Sequence, residues 1–565
     1  MSHGAELGVE LSTASQDVSR HSSAVPRPLS KGQPNDYVQG INLTEEDQDI
    51  LISEDYAHVP RPSNETYGSI CALFAEVSRS SPEASLPRLH SLEILHICTQ
   101  LYFEHFHPSF PIIHQSTFGA RSSSWLLYLA IAAIGSQYSR LSIRAKVFSD
   151  LVKVIRVSLL RKLNYALSMQ NDLELSQATL LFNFALLFGG TREGMMHLQY
   201  QRHVLITMCR PLLVPGILFA KSWILSNASI PNADWSRWVA TESWKRVIYF
   251  TWYLPTIIAV GDLHINAEEC LGTLSLLKTD VIDHDRIARL SDPALWISTV
   301  SVYVAERQAS EQHSLKSLFG AHHITNHRIV DYTERPHAAE PEEDSVDAIL
   351  GRFQQAVTEH RYDSPICLII AKFSLILRLL RFIKYRPLYL SSGWMAQSEE
   401  VRAAWQHIED LLHTSPNKAR QGLLHATQLF RIIRSQHQFD PFDSFLLLMV
   451  TLYIWNYDKY VIPRSHLNGG QEEIFRIDQT MDADLQEKWI LGTFQTRKKI
   501  HITGIGILNG QDSMSRTLKE AMRILSHDKA WSRQADAIKR SLHQILKGGA
   551  PSFADNETVT NENVT

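Results

Sequence analysis

The sequence has 565 residues, of which 44% are hydrophobic and 20% are charged. These fractions are typical of a soluble globular protein with a large core, and they exclude a fibrous or broadly disordered chain. The formal net charge of -4 gives no general attraction to nucleic-acid phosphates, so direct DNA binding is not expected of this chain.

Five scattered cysteines, none close to another in sequence, argue against a disulfide framework and fit a reducing compartment. The chain opens without a signal peptide, and its apolar runs are shorter than the roughly 20 residues that span a bilayer. We therefore expect an intracellular protein that does not enter a membrane.

The chain divides by composition into five parts. Residues 1–85 are rich in Ser, Pro, Asn and acidic groups and are predicted to form a flexible polar arm. Residues 86–307 carry apolar stripes with helical spacing and form the first helical part. A polar linker rich in His and acidic residues, 308–345, separates it from a second helical part at 346–547, and residues 548–565 form a disordered tail. Because alternating strand patterns are absent, the fold class is all-α.

The most informative segment is LYFEHFHPSFPIIHQSTF, from Leu101 to Phe118. It ends a helix with an aromatic-rich turn that contains Pro108 and Pro111. Proline lacks a backbone donor and pushes the residue before it towards extended geometry, so the helix must stop here. The sequence therefore predicts an irregular structure over residues 106–118, which we call the hook, packed on the helix end through Phe106 and Phe110.

The hook resembles the opening of the fungal-specific transcription factor domain, the middle homology region of fungal zinc-cluster and zinc-finger regulators. A later segment, WSRWVATESWKRVIYFTWYL, resembles the tryptophan, glutamate and arginine signature of that family. The resemblance implies one all-helical regulatory domain over both helical parts. The residues that carry it are Phe106, Pro108, Phe110, Pro111, His114, Phe118, Trp235, Trp238, Glu242 and Arg246.

Physical reasoning gives the second segment structural roles. Glu242 and Arg246 stand four residues apart on a helix, and we expect this pair to fix helix packing. Trp235 and Trp238 are either core anchors or the wall of an effector pocket.

Three histidines, His105, His107 and His114, could supply metal ligands, but we interpret them as partners of backbone groups at the proline-broken helix end. The sequence GIGILNG at residues 504–510 lacks the GxGxxG spacing and the preceding strand of a dinucleotide loop, so we interpret it as a helix break. We predict no catalytic, cofactor-binding or metal-binding residues.

Two basic segments could bind nucleic acid or direct nuclear import. They are residues 497–501, RKKIH, and a basic edge formed by Lys372, Arg378, Arg381 and Lys384. We interpret both as solvated helix faces.

The resemblance implies a nuclear, pathway-specific transcription regulator of a fungal secondary-metabolite gene cluster, responding to a small-molecule effector. No close Cys or Cys/His spacing forms a zinc module in these 565 residues. Regulation is therefore expected through a DNA-bound transcription factor, a homodimer or heterodimer partner, or a zinc module absent from this chain. Two alternatives remain: a helical enzyme or small-molecule carrier of a biosynthetic pathway, and a structural adaptor without an effector site.

Overall fold

A computed structural model describes residues 43–80, 90–119, 124–166, 172–209, 235–258, 292–303, 343–360, 364–393, 396–462, 473–479, 482–494 and 498–548, except for single positions at 192, 200, 202, 203, 293, 294 and 297. The predicted all-α class is confirmed, because helices dominate these residues. The predicted tail after residue 548 and most of the linker at 308–345 lie outside the described residues.

The helices follow one another along both parts of the chain. In the first part they are α1 (Glu45–Ser53), α2 (Asn64–Ser80), α3 (Leu92–Leu101), α4 (Trp125–Ser136), α5 (Arg144–Ala166), α6 (Leu173–Phe188) and α7 (Trp235–Ile258). In the second part they are α8 (Glu343–His360), α9 (Pro365–Phe382), α10 (Tyr385–Leu390), α11 (Ser398–Thr414), α12 (Pro416–Ser435), α13 (Asp443–Tyr460), α14 (Ala483–Leu491), α15 (Asp512–Leu525) and α16 (Ser532–Leu546). Helical residues also lie within 193–209 and 292–303.

Three largely apolar helices are buried on all sides and form the centre of the molecule. Almost every residue of α4, α6 and α13 is buried. By contrast, α15 and α16 bury one stripe and expose the other face, as expected of outer helices. The buried apolar side chains of both parts belong to one continuous core, from Val59 to Ile545.

The first central helix packs very closely against α3. A Cβ atom added at Gly135 of α4 would lie 1.7 Å from the carbonyl oxygen of Cys98. Only glycine permits this approach, which packs α4 directly against the last turns of α3, just before the hook.

The predicted flexible arm over residues 1–85 is wrong for residues 43–80, which form α1 and α2. The first helix begins with a capping box between Thr44 and Asp47, and the Asp47 carboxylate also accepts from Ser142 at 2.8 Å. The second helix buries Ile70, Leu73, Phe74 and Val77. Their helical spacing was hidden by the polar composition around them.

The prediction that the chain contains no strands is also wrong for three short segments between residues 473 and 507. Strands β1 (Glu473–Arg476), β2 (Lys498–Ile502) and β3 (Gly506–Ile507) form a small sheet. The first pair is parallel and the second antiparallel. Most of RKKIH is therefore a strand, not a helix face, and GIGILNG forms a turn and a short strand. Gly504 has a φ of 91°, which glycine adopts without strain.

The prediction of a solvated basic edge is wrong for the three cations within α9, whereas Lys384, just beyond the helix end, is exposed. Lys372 is 1% exposed, and Arg378 pairs with Asp347 at 2.7 Å. Arg381 lies 3.3 Å from the same carboxylate. These cations face carboxylates within the fold and do not form a surface patch for phosphate groups.

Candidate regulatory core around the hook

An irregular turn of helix leads into the hook. Helix α3 ends at Leu101 and continues as a π-helical turn, Tyr102–Phe106, in which the His107 amide donates to the Tyr102 carbonyl at 2.9 Å. The Phe110 amide then donates to the Phe106 carbonyl at 3.0 Å. π-helical turns widen a helix and are frequent at functional sites. Here the extra residue lets the chain leave the helix just before Pro108.

Phe110 is the centre of an aromatic cluster that joins the two helical parts. Its ring is fully buried and stacks on Phe106 with 4.6 Å between centroids. On other sides it meets Phe184 of α6 at 5.4 Å and Trp296 at 5.6 Å. Phe442, which precedes α13, lies at 5.5 Å. The predicted packing of Phe106 and Phe110 on the helix end is therefore present, and it reaches into the second part.

Arg246 of α7 attaches the hook to the signature helix. Its Nη1 donates to the carbonyl oxygens of Pro111 at 3.2 Å and Ile113 at 3.4 Å. Its Nε donates to Glu242 at 3.2 Å. Because the hook has no regular backbone pairing, the guanidinium satisfies carbonyls that would otherwise lack donors. The predicted packing role of the pair is thus an attachment of α7 to the hook.

The two signature tryptophans lie beside the hook near the surface. Trp235 and Trp238 stack with 4.9 Å between centroids, and the His114 ring stands edge-on to both, at 6.0 and 6.1 Å. Trp235 is 51% exposed and is therefore not a core anchor. The other signature residues differ in exposure: Phe118 is buried against Phe103, at 5.4 Å between centroids, while Pro108 is exposed.

The hook also contacts a buried cluster of charged side chains from the second helical part. The Ser109 hydroxyl donates to Asp440 at 3.2 Å. Lys372 of α9 donates to Asp440 at 2.5 Å and to Asp443 at 2.6 Å. Both Lys372 and Asp443 are almost fully buried, so each charge depends on its partners.

Sequence reasoning missed this cluster. Burial raises the pKa of Asp443 to about 7, although the Lys372 charge opposes that rise. Burial alone would lower the pKa of Lys372, but its two carboxylate partners hold that pKa above its ordinary value. The available signal was the sequence DPFD at residues 440–443, with one acid just before α13 and one at its first residue, followed by a long apolar run.

The three histidines in and just before the hook have separate surroundings. His105 pairs with Gln438 at 3.2 Å, and His114 pairs with Thr117 at 3.0 Å. Burial, together with the charge of Arg246, lowers the pKa of His107 to about 4. Among the described residues, no group of three or more His, Cys, Asp or Glu side chains could hold a metal ion.

The described helices also include none that combines the length and apolar character needed to cross a membrane.

Comparison with known proteins finds a family match for the segment that contains the hook and α7. Residues 99–261 match the fungal specific transcription factor domain. A protein named "Transcription factor" from Gibberella fujikuroi is 23% identical over 506 residues, which are 85% of this chain and 63% of the relative. The chain therefore spans less than two thirds of the length of that relative. No solved structure matches. The matched residues include the hook and α7, so the hook, its signature helix and Arg246 belong to the recognised domain.

Proposed function

We propose that this chain, whose residues 99–261 carry the fungal specific transcription factor domain, regulates transcription in the nucleus. The observation that carries the proposal is the match of residues 99–261 to that domain, a segment in which Arg246 attaches α7 to the hook. The name of the Gibberella fujikuroi relative supports the same reading.

The proposed mechanism uses a DNA-bound partner. The formal charge is -4, and three of the four cations of the basic edge, Lys372, Arg378 and Arg381, pair with carboxylates. Both observations favour contact with DNA through a DNA-bound transcription factor, a dimer partner or a zinc module outside these 565 residues. The regulatory domain then contributes activation or repression to the complex.

We further propose that the targets are the genes of one fungal secondary-metabolite pathway. This finer proposal rests on the family resemblance. Transcript profiling of a strain that lacks the gene, compared with its parent under producing conditions, tests it. A coordinated loss of clustered transcripts is expected. Unchanged transcripts with an accumulated pathway intermediate would instead favour a helical enzyme or carrier.

A tethering experiment tests regulation directly. The full chain is fused to a heterologous DNA-binding domain, and a reporter with the matching sites is measured under producing conditions. We expect reporter activity to differ from that of the DNA-binding domain alone. The fusion with Arg246→Met should lose this difference, whereas Arg402→Met, at an exposed position on α11, should keep it. A reporter that does not respond to the unchanged fusion would contradict direct regulation.

The nuclear location is tested separately. A fluorescent fusion of the chain should concentrate in nuclei of the producing fungus. Uniform exclusion from nuclei under all growth conditions would contradict the proposal.

A further inference from the structure

Helix α1 is attached to the rest of the chain with little burial of apolar surface. Asp47 is the buried residue of this helix, while Ile52 is 78% exposed. Ile50 and Leu51 are half-buried against the core. An element that buries little apolar surface opens locally at a low cost in free energy. The attachment of α1 therefore depends strongly on its polar contacts.

Two carboxylates supply these contacts, and both meet residues 139–142 between α4 and α5, which we call the anchor turn. The Asp47 carboxylate accepts from the backbone amide and from the hydroxyl of Ser142, each at 2.8 Å. The Glu54 carboxylate, just after the end of α1, accepts from the Ser139 hydroxyl at 2.7 Å. The anchor turn lies within the recognised domain, whereas α1 precedes that domain.

Ser142 combines an exposed position with a hydrogen bond to a buried carboxylate. Its residue is exposed, while Asp47 is 1% exposed. Hydrogen bonds from Ser142, that of the backbone amide first, hold the pKa of Asp47 below its ordinary value. Asp47 is therefore negatively charged at neutral pH and accepts hydrogen bonds only. The hydroxyl of Ser142 supplies a donor, which an anion at the same position cannot do.

The exposed hydroxyl at this contact points to a modification site. We propose that Ser142 is a phosphorylation site and that its phosphate releases α1 from the anchor turn. In the reaction, the Ser142 oxygen bonds to the γ-phosphorus of ATP, the bond from that phosphorus to the bridging oxygen breaks, and ADP leaves. The hydroxyl proton, which Ser142 donates to Asp47 before the reaction, passes to the catalytic base of a protein kinase.

A phosphate at Ser142 turns an attractive contact into a repulsive one. It carries about -1.5 to -2 charges at pH 7, and its oxygens accept hydrogen bonds. Asp47 then loses a donor and meets a like charge at a buried position, where water screens repulsion poorly. A phosphate that turns towards solvent relieves the repulsion, but the hydrogen bond from the hydroxyl is lost all the same.

The nearest basic residues do not remove this effect. Arg140 lies two residues before Ser142 in the sequence, and its Nε already pairs with Glu54 at 3.3 Å. If Arg140 turns to the phosphate, Glu54 loses its cation. Either arrangement of the phosphate therefore weakens one of the two carboxylate contacts that hold α1.

The accessibility of Ser142 is tested on the purified full chain with ATP, Mg²⁺ and a protein kinase that prefers basic substrates. This class is chosen because Arg140 and Arg144 lie two residues before and two residues after Ser142. Peptide mass spectrometry should place a phosphate on Ser142 and find none at this position in Ser142→Ala. A folded chain that acquires no phosphate at Ser142 overturns the proposal.

Hydrogen exchange measures the release of α1. The full chain with phosphoserine incorporated at position 142 is compared with the unmodified chain. We expect the amides of α1 to exchange about tenfold faster or more, the scale of one lost hydrogen bond to a charged group. Amides of the buried helix α13 should exchange as before. Unchanged exchange of α1 in the phosphorylated chain overturns the proposal.

Matched variants separate charge from shape. Ser142→Asp should accelerate exchange in α1 more than Ser142→Asn, because the asparagine has a similar shape and can donate to Asp47. The double variant Ser142→Asp/Asp47→Asn should recover part of the protection, since the like charge is removed. Equal exchange of α1 in Ser142→Asp and Ser142→Asn would count against repulsion from Asp47 and overturn the charge mechanism.

An exposed serine elsewhere in the chain gives the control. The Ser526 hydroxyl donates to the Met522 carbonyl at 2.9 Å and faces no carboxylate in that bond. Ser526→Asp adds the same charge and should leave exchange in α1 unchanged. Circular dichroism shows that each variant is folded. The measurement uses purified protein without a promoter, so a silent reporter in the tethering experiment does not affect its outcome.

Discussion

Arg246 and Pro111 are joined by a hydrogen bond of 3.2 Å from the guanidinium Nη1 to the proline carbonyl. This contact links two segments 135 residues apart in sequence. It attaches the proline-containing hook to α7. The prolines remove regular backbone pairing, and the arginine supplies the missing donors.

Arg246→Met should therefore destabilise the fold. The variant leaves the hook carbonyls without their charged donor, and we expect the free energy of unfolding to fall by about 1.5–3 kcal/mol. Urea unfolding followed by circular dichroism measures the change. Arg402→Met, on an exposed face, should leave the midpoint unchanged. Equal effects of the two substitutions would contradict the proposed role of Arg246.

Gly135→Ala should be strongly destabilising because the new methyl group meets the backbone of α3, 1.7 Å from the Cys98 oxygen. Helices must separate to relieve this overlap, at a cost of about 3 kcal/mol or more. The matched control is Gly68→Ala in α2, where nothing lies within 4 Å of the added atom. That control should be stabilised by about 0.5–1 kcal/mol through helix propensity. Thermal unfolding compares the two, and a neutral Gly135→Ala would contradict the close packing.

Lys372→Met should destabilise the protein by about 3–5 kcal/mol. The substitution leaves Asp443 buried without its cation. Chemical unfolding of the variant measures the loss. Lys488→Met removes an exposed lysine and should leave the unfolding midpoint unchanged. The double variant Lys372→Met/Asp443→Asn should recover part of the lost stability, because the unpaired carboxylate is then removed. No recovery would indicate that Asp443 is not the group left unpaired.

His107 should make stability depend on pH. Its pKa is about 4 in the folded chain and 6.5 when unperturbed, so below pH 6.5 the unfolded chain binds a proton that the folded chain does not. As the pH falls from 6.5 to 4, protonation of the unfolded chain therefore lowers the free energy of unfolding, by about 2 kcal/mol at pH 5. Above pH 6.5 the His107 ring is neutral in both states and contributes no pH dependence.

Urea unfolding between pH 5 and 7 tests this prediction. His107→Gln should have a shallower loss of stability at low pH than the unchanged chain. His407→Gln, at an exposed position on α11, should keep the original slope. If the His107 variant keeps the same slope, other groups account for the acid sensitivity.

Local sequence signals predicted the hook and most of the helices. Pro108 and Pro111 stop α3 by removing donors, a property of the residues themselves. The apolar stripes of α4, α6 and α13 show their helical character directly, since helices buried on all sides are apolar on all sides.

The secondary structure of two regions was predicted wrongly from sequence. Residues 43–80 look polar on average, yet Ile70, Leu73 and Phe74 form a stripe that other helices cover. The strands at 473–507 are short, and their parallel pairing joins residues 25 positions apart. None of the three strands is long enough to show the alternation of apolar and polar residues that identifies a longer strand.

The sequence by itself determined the helical class, the helix ends at the prolines and the family resemblance, because each depends on residues close together in the chain. Only the tertiary structure decided where the charges lie. Lys372 has the sequence pattern of a surface cation, and it is buried because Asp440 and Asp443 reach it from another part of the chain. The position of a charge in a fold depends on such distant partners, since burial without them is too costly.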